Sequence, residues 1–287
     1  KPKIFDPDEA EQLRSRCQGS EAIVTAVKET EKKVKAPKLY DLTTLQREAN
    51  RIYGMTAKQT LDTAQNLYEK KLITYPRTDS QYLTEDMEQT ARNVVRQIYE
   101  KYQLTGPFDQ PEQPDVKKVM NNSKVTDHHA IIPTMELSSC HLDELKSWEE
   151  KILFLIAVHT VMAMSKEHVY QETEIEVECQ GEIFKAKGKT VLQDGWKLFE
   201  NCFKNKDRMA IVDPDQEMKE KIPKVTQGQT FYAVAAEKTE HFTSPPKPYS
   251  EDTLLAAMET AGNKEFDEDT EKKGLGTPAT RAGIIEK

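Results

Sequence analysis

Through the first half of the chain, apolar residues recur at helical spacing between polar ones. In DLTTLQREANRIYG, Leu45, Ala49 and Ile52 share one face, Thr43 and Gln46 form a capping-box pattern, and Gly54 stands where a helix C-cap belongs. A second helix begins at once. Thr56 with Gln59 repeats the capping pattern, and Leu61, Ala64, Leu67 and Tyr68 continue an apolar stripe to Lys70 and Lys71. Two short capped helices joined by a glycine turn predict a helix-turn-helix unit. Met87, Ala91, Val94, Val95, Ile98 and Tyr102 then predict an amphipathic helix with an acidic polar face, and the Pro-rich TGPFDQPEQPD predicts a loop. The helix expected from about Asp143 to Ser165 is apolar all round in its middle, the pattern of a central, buried support.

Elsewhere the period changes to two. EAIVTAVKETEKKVKAP fits an amphipathic strand or its flank, and YQETEIEVECQGEIFKAKGKTV fits a strand, a turn and a strand, broken at Gly181 and Gly188. QTFYAVAAEKTEHF reads as another strand, TSPPKPYS as a loop, EDTLLAAMETAG as a short helix, and GLGTP as a turn before a last helix. No internal repeat emerges. The expected class is α+β and multidomain: a helical domain, a β-rich domain, then the start of another helical piece.

At 287 residues the chain is long enough for more than one core. Hydrophobic residues at 37% and charged residues at 31% suit a folded protein with much charged surface. The longest apolar run, Ile152 to Val158, is far below the roughly 20 residues that span a bilayer, so no membrane partner is expected. KPKIFDPDEA has neither an initiating Met nor a signal-peptide stretch, which suggests a truncated or processed start. The four cysteines, Cys17, Cys140, Cys179 and Cys202, are scattered without a C-x-x-C pair, which fits a reducing cytoplasm and no zinc site. A net charge of -8 argues against nonspecific coating of DNA. The charge is uneven, however: Lys35 to Tyr82 holds eight Lys or Arg against five Asp or Glu, whereas Leu83 to Asp115 holds three against seven.

The basic stretch carries the best chemical candidate. In LITYPRTDS, Pro76 biases Tyr75 towards extended backbone, where residues two apart project to one side, so Tyr75 and Arg77 can face one phosphate together. A tyrosine oxygen can attack phosphorus and leave again, opening and resealing a strand without an energy cofactor. Arg77 would supply a permanent charge and a forked donor, and would favour the phenolate of a group whose ordinary pKa is about 10. Taken alone, a tyrosine beside a turn more often simply packs.

ITYPRTDS resembles the active-site signature of type IA DNA topoisomerases. LYDLTTLQREAN followed by TAKQTLDTAQNLYEKKLITYPRTDS, from Leu39 to Ser80, resembles the topoisomerase III branch. The resemblance implies Tyr75 as nucleophile and Arg77 as the active-site arginine, with Gln46 in a segment flanking the DNA path. TDHHAIIPT, from Thr126 to Thr134, resembles the block holding a histidine important for DNA binding and cleavage; alignment on AIIPT puts that role on His128, with His129 as the alternative. An imidazole there could donate to a phosphate or relay a proton. FTSPPKPYSEDTLLAAME and GLGTPATRAGII resemble the passage into the domain lining the single-stranded DNA groove, which implies phosphate contacts by Thr280 and Arg281. Thr277 stands where the topoisomerase I branch commonly has Arg, which favours topoisomerase III.

The resemblance also implies an arrangement: residues 1–38 and 166–244 as two parts of a β-rich hinge domain (II), 39–165 as an inserted helix-turn-helix-like cleavage domain (III), and 245–287 as part of a helical groove domain (IV). Type IA enzymes carry a Toprim domain whose acids bind Mg²⁺, and no such domain precedes Tyr75. Asp213, Asp215 and Glu217 in IVDPDQE superficially resemble its acidic motif, but they follow the tyrosine block and read better as solvated loop acids. The expectation is therefore a fragment that binds DNA, chiefly single-stranded, holds no metal itself, and does not relax DNA without the Toprim portion of its parent protein. It would work in the cytoplasm, at the nucleoid if bacterial. Two other readings remain at this point, a helix-turn-helix binding module without catalysis and a tyrosine recombinase; the early position of Tyr75 disfavours the latter.

Overall fold

A computed structural model describes residues 4–104, 114–200, 222–262 and 274–286. Asp213, Asp215 and Glu217, and most of the Pro-rich loop, lie outside these residues. The chain divides into two compact units, one formed by Lys1–Val34, Val169–Gln193 and Val212–Lys247, the other by Lys35–His168, Asp194–Ile211 and Pro248–Lys287.

The first unit is a four-stranded sheet with a helix. Helix α1, Pro7–Cys17, is capped by the Asp6 side chain and opens on a proline, which needs no partner for its missing N–H there. The sequence pattern gave no sign of it, because PDEAEQLRSRC carries almost no apolar stripe. Strand β1 is Ala22–Val34, β2 His168–Cys179, β3 Glu182–Gln193 and β4 Thr230–Phe231, in the order β3-β2-β1-β4. β2 and β3 form an antiparallel hairpin turning through Gln180 and Gly181, both at positive φ (53° and 81°), the conformation a two-residue turn needs to match strand twist.

Two expectations are corrected here. Gly188 does not break the strand: it pairs with Thr173 inside β3, and a Cβ there would lie 2.5 Å from the Ile222 side chain, so the glycine serves close packing. The long strand expected from Gln229 to Phe242 shortens to β4, which pairs with β1 only through Ala22–Phe231 and Ile23–Thr230.

The second unit is helical. Helix α2, Leu42–Tyr53, ends at Gly54 in the left-handed conformation, and α3, Ala57–Glu69, starts from the expected Thr56–Gln59 capping box. The N-cap of α2 is Asp41 boxed with Thr44, not Thr43 with Gln46: the carboxylate accepts from Thr44 N at 2.7 Å, while Thr43 and Gln46 are buried in the helix itself. Helix α4 is Glu88–Tyr102, and α5, Ser147–Ala163, is buried almost throughout, as its uniformly apolar middle requires. The start of the expected support helix, near Asp143, is a separate 3₁₀ turn, Leu142–Glu144.

Helices α6, Glu251–Thr260, and α7, Pro278–Ile285, also belong to this unit. Their Leu255 and Ala282 join Leu42, Ala57 and Leu61 in one apolar cluster, Asp252 pairs with Arg47 at 2.8 Å, and Glu251 accepts from Ala57 N at the start of α3. Residues 194–200 likewise go with the helices, where Phe199 meets Tyr99 edge-on. The main core, built from Leu45, Ile73, Leu83, Val94, Ile131 and α5, lies under the segments that carry the candidate site.

Candidate active site

Two stretches far apart in sequence lie side by side. Ile73 pairs antiparallel with Pro133, and Tyr40 with Ile131. Thr74 N donates to Ile132 O at 3.0 Å, Thr134 N to Leu72 O at 3.0 Å, Ile131 N to Tyr40 O at 2.8 Å, and Ala130 N to Tyr82 O at 2.9 Å. The Thr74 hydroxyl adds two more bonds, donating to Ala130 O and accepting from Ile132 N, each 3.0 Å. Below them Tyr40 stacks on the buried His159 (ring centroids 3.7 Å apart), and its hydroxyl donates to Glu48 at 2.7 Å. Burial holds the His159 imidazole below its ordinary pKa, against the pull of Glu48.

This scaffold presents Tyr75, Arg77 and His128. Exposure alternates along the segment: Pro76, Thr78 and Ser80 are buried, Arg77 and Asp79 are exposed, and Tyr75 is half-buried. That is the period-two display expected from the sequence. The Tyr75 ring lies 4.3 Å from the His128 ring, tilted by 45°, and meets Tyr68 of α3 edge-on at 5.4 Å. His128 is exposed, whereas His129 turns its Nδ1 to the Ala130 carbonyl at 2.8 Å. Of the two histidines, His128 is the one against the tyrosine. Arg77 forms no hydrogen bond or ion pair among the described residues, so its donors are open to a ligand. Such a group, two residues from a phenol with an imidazole beside it, can neutralise a phosphate while the phenol attacks it.

The other expected contacts sit differently. Arg281 is buried, its Nε donating to Leu275 O and its Nη1 to Thr43 Oγ1, both at 3.0 Å. Its guanidinium ties α7 to the first turn of α2. Gln46 is fully buried, with Nε2 donating to Ala57 O at 2.9 Å across the Gly54 turn; its Oε1 has no hydrogen-bond partner among the described residues. Thr280 is exposed, with its hydroxyl in the capping box of α7. Among the described residues neither Gln46 nor Thr280 hydrogen-bonds to Tyr75, Arg77 or His128.

Some contributors escaped the sequence reading. Tyr68 showed only as one member of an apolar stripe, and the hydroxyls of Thr74 and Thr78 carried no separate signal. Asp41 is another: burial pushes its carboxyl up to about 6, against the hydrogen bonds from Thr44, while Glu259 adds to the rise. The next residue, Leu42, donates its N–H to Thr78 O at 3.0 Å, so this cap adjoins the active segment.

Among the described residues no three His, Cys, Asp or Glu side chains gather to hold a metal ion. No helix among them is long and apolar enough to cross a membrane.

A family model described as DNA topoisomerase matches residues 1–287. The chain is 38% identical over 303 residues to DNA topoisomerase 3 of Bacillus licheniformis and 38% identical over 297 residues to that of Bacillus subtilis, covering 99% of this chain and 40% of each relative. The fold is similar to full-length topoisomerase I from Thermotoga maritima, with a TM-score of 0.67 at 24% identity, over 100% of this chain and 43% of that one. The chain thus spans about two fifths of the relatives it matches. Matched over its whole length, it belongs to the DNA topoisomerase family, type IA, in the topoisomerase III branch.

Proposed function

We propose that this chain is the strand-cleaving and gate-forming part of a type IA topoisomerase that acts on single-stranded DNA through Tyr75. The observation that carries the reading is the meeting of Tyr75 and His128 at 4.3 Å, with Arg77, exposed and without a partner among the described residues, two residues along the same edge. The Tyr75 oxygen attacks a backbone phosphorus. The O–P bond forms as the P–O3′ bond breaks, the phenolic proton leaves, and the 3′ oxygen takes up a proton. One side of the break is then a 5′-phosphotyrosine and the other a free 3′ hydroxyl. Reversal reseals the strand, because one phosphate ester has been exchanged for another of similar energy.

Arg77 offsets charge on the phosphate oxygens, and His128, exposed beside the phenol, donates to the same phosphate. Passage of a second strand before resealing changes the linking number by single steps, with the sheet unit acting as the hinge that lifts the helical gate. Magnesium would be held by the acidic residues of a Toprim portion of the same parent protein. DNA is the partner and the cytoplasm the setting. The chain by itself does not relax supercoiled plasmid.

The test supplies a Toprim domain of the same family and a labelled single-stranded oligonucleotide. Denaturing gels should show DNA covalently attached to the wild-type chain and none attached to Tyr75→Phe. Equal labelling of the two would overturn the assignment and leave a non-catalytic DNA-binding module.

A further inference from the structure

The backbone that carries His128 is held by very little. Across residues 126–129 a single hydrogen bond among the described residues reaches the main chain: Thr78 Oγ1 donates to His128 O at 3.0 Å. The Ala130 N–H then bonds to Tyr82 O and the regular pairing with residues 72–74 begins. His128 therefore hangs just beyond the paired region, and its exposed ring has no anchor in the core.

Thr78 itself is firmly placed. It is 2% exposed, its carbonyl accepts from Leu42 N at 3.0 Å in the first turn of α2, and its hydroxyl oxygen accepts from Ser80 N at 3.1 Å. Arg281 bonds the neighbouring Thr43 from α7, so the helix end that fixes Thr78 is braced in turn. On the other flank of Tyr75 the Thr74 hydroxyl makes a comparable cross-link, but there a backbone bond, Thr74 N to Ile132 O, duplicates it. At Thr78 no bond among the described residues duplicates the hydroxyl.

We propose that Thr78 is a positioning residue for the cleavage site: its hydroxyl holds the His128 backbone so that the imidazole stays against the Tyr75 ring. Thr78 is buried and need not touch DNA. The proposal rests on the roles given above to Tyr75 and His128. A buried neutral hydrogen bond biases an equilibrium by about fivefold, so its loss leaves His128 in place for a correspondingly smaller share of the time. Serine keeps the donor. Valine keeps the shape and β-branching of threonine and loses the donor.

The experiment follows the His128 ring protons by NMR in the chain itself. At 4.3 Å the Tyr75 ring shifts their resonances, and the difference between wild type and Tyr75→Ala defines that shift. Thr78→Ser should keep it, and Thr78→Val should lose most of it while thermal melting shows the protein still folded. Oligonucleotide capture with the Toprim domain supplied should fall about fivefold in Thr78→Val and recover in Thr78→Ser. An undiminished His128 shift in the valine variant would overturn the proposal. If the valine variant fails to fold, Thr78→Ala decides: a lost shift with serine retaining it upholds the role of the hydroxyl, and a retained one overturns it. The two readings separate cleanly. Capture that survives Tyr75→Phe sinks the proposed chemistry, whereas capture lost in Tyr75→Phe with an unchanged His128 shift in Thr78→Val sinks only the positioning role.

Discussion

The helical unit and the sheet unit bury their side chains in contrasting ways. In the helical unit a continuous core runs from Leu39 through Ile131 to α5, and even polar residues such as Thr78, Gln46 and Arg281 are almost wholly enclosed. The sheet unit buries little: the apolar cluster among its described residues centres on Cys17, Ala22 and Cys179, and β3 shows Ile183, Phe184, Val191 and Leu192 to solvent. Its long hairpin is held by a regular backbone ladder, with Glu174–Lys187 and Glu176–Lys185 facing each other across it. Side chains are thus fixed tightly beneath the candidate site, while Arg77 and His128 on it are exposed and the hairpin relies on bonds that any side chain allows.

Substitutions can break or sharpen that contrast. The largest effect is expected in α5, where Ile156→Ala removes a fully buried side chain and should cost about 2–5 kcal/mol in urea unfolding. Val191→Ala on β3, 51% exposed, should stay within about 0.5 kcal/mol. Comparable losses at both sites would show that the hairpin is packed as tightly as the core.

Next comes Asp41. Its folded pKa, about 6, lies above the ordinary 3.8, so the folded state takes up the proton more readily than the unfolded one. The stability this group contributes is full below about pH 4 and is lost as pH rises through 6, a swing on the order of 2–3 kcal/mol. Asp41→Asn keeps an N-cap acceptor and should abolish this part of the pH dependence, as read by denaturant melts from pH 4 to 7.5. An unchanged profile would mean that Asp41 is better solvated than its burial implies. The smallest effect is expected at the hairpin surface, where Glu174→Gln should leave the melting midpoint unmoved, because an exposed ion pair is screened by water and salt.

Much of the helical unit was legible from the sequence because its signals are local: the stripe of α4, the Thr56–Gln59 box, the αL glycine after α2 and the apolar run of α5. The failures arose where distant residues decide. Gly188 looks like a breaker until Ile222 is seen against it, and nothing in GLGTPATRAGII signals that Arg281 donates to Thr43, 238 residues away. The α2 cap went to Asp41 because Thr43 is drawn into the packing with α7. At the candidate site, Tyr75 and His128, named from separate motifs, lie with their rings 4.3 Å apart. The hydroxyl bonds of Thr74 and Thr78 were not legible, because threonine carries no signal for a partner that lies 50 or more residues away.

The central claim is that Tyr75 itself becomes esterified to DNA. The most direct measurement is peptide mapping by mass spectrometry of the covalent adduct formed with a single-stranded oligonucleotide and a supplied Toprim domain. A nucleotide 5′-phosphate on the peptide containing Tyr75 is the expected result. An adduct on another residue, or one joined through a 3′-phosphate, would contradict the claim.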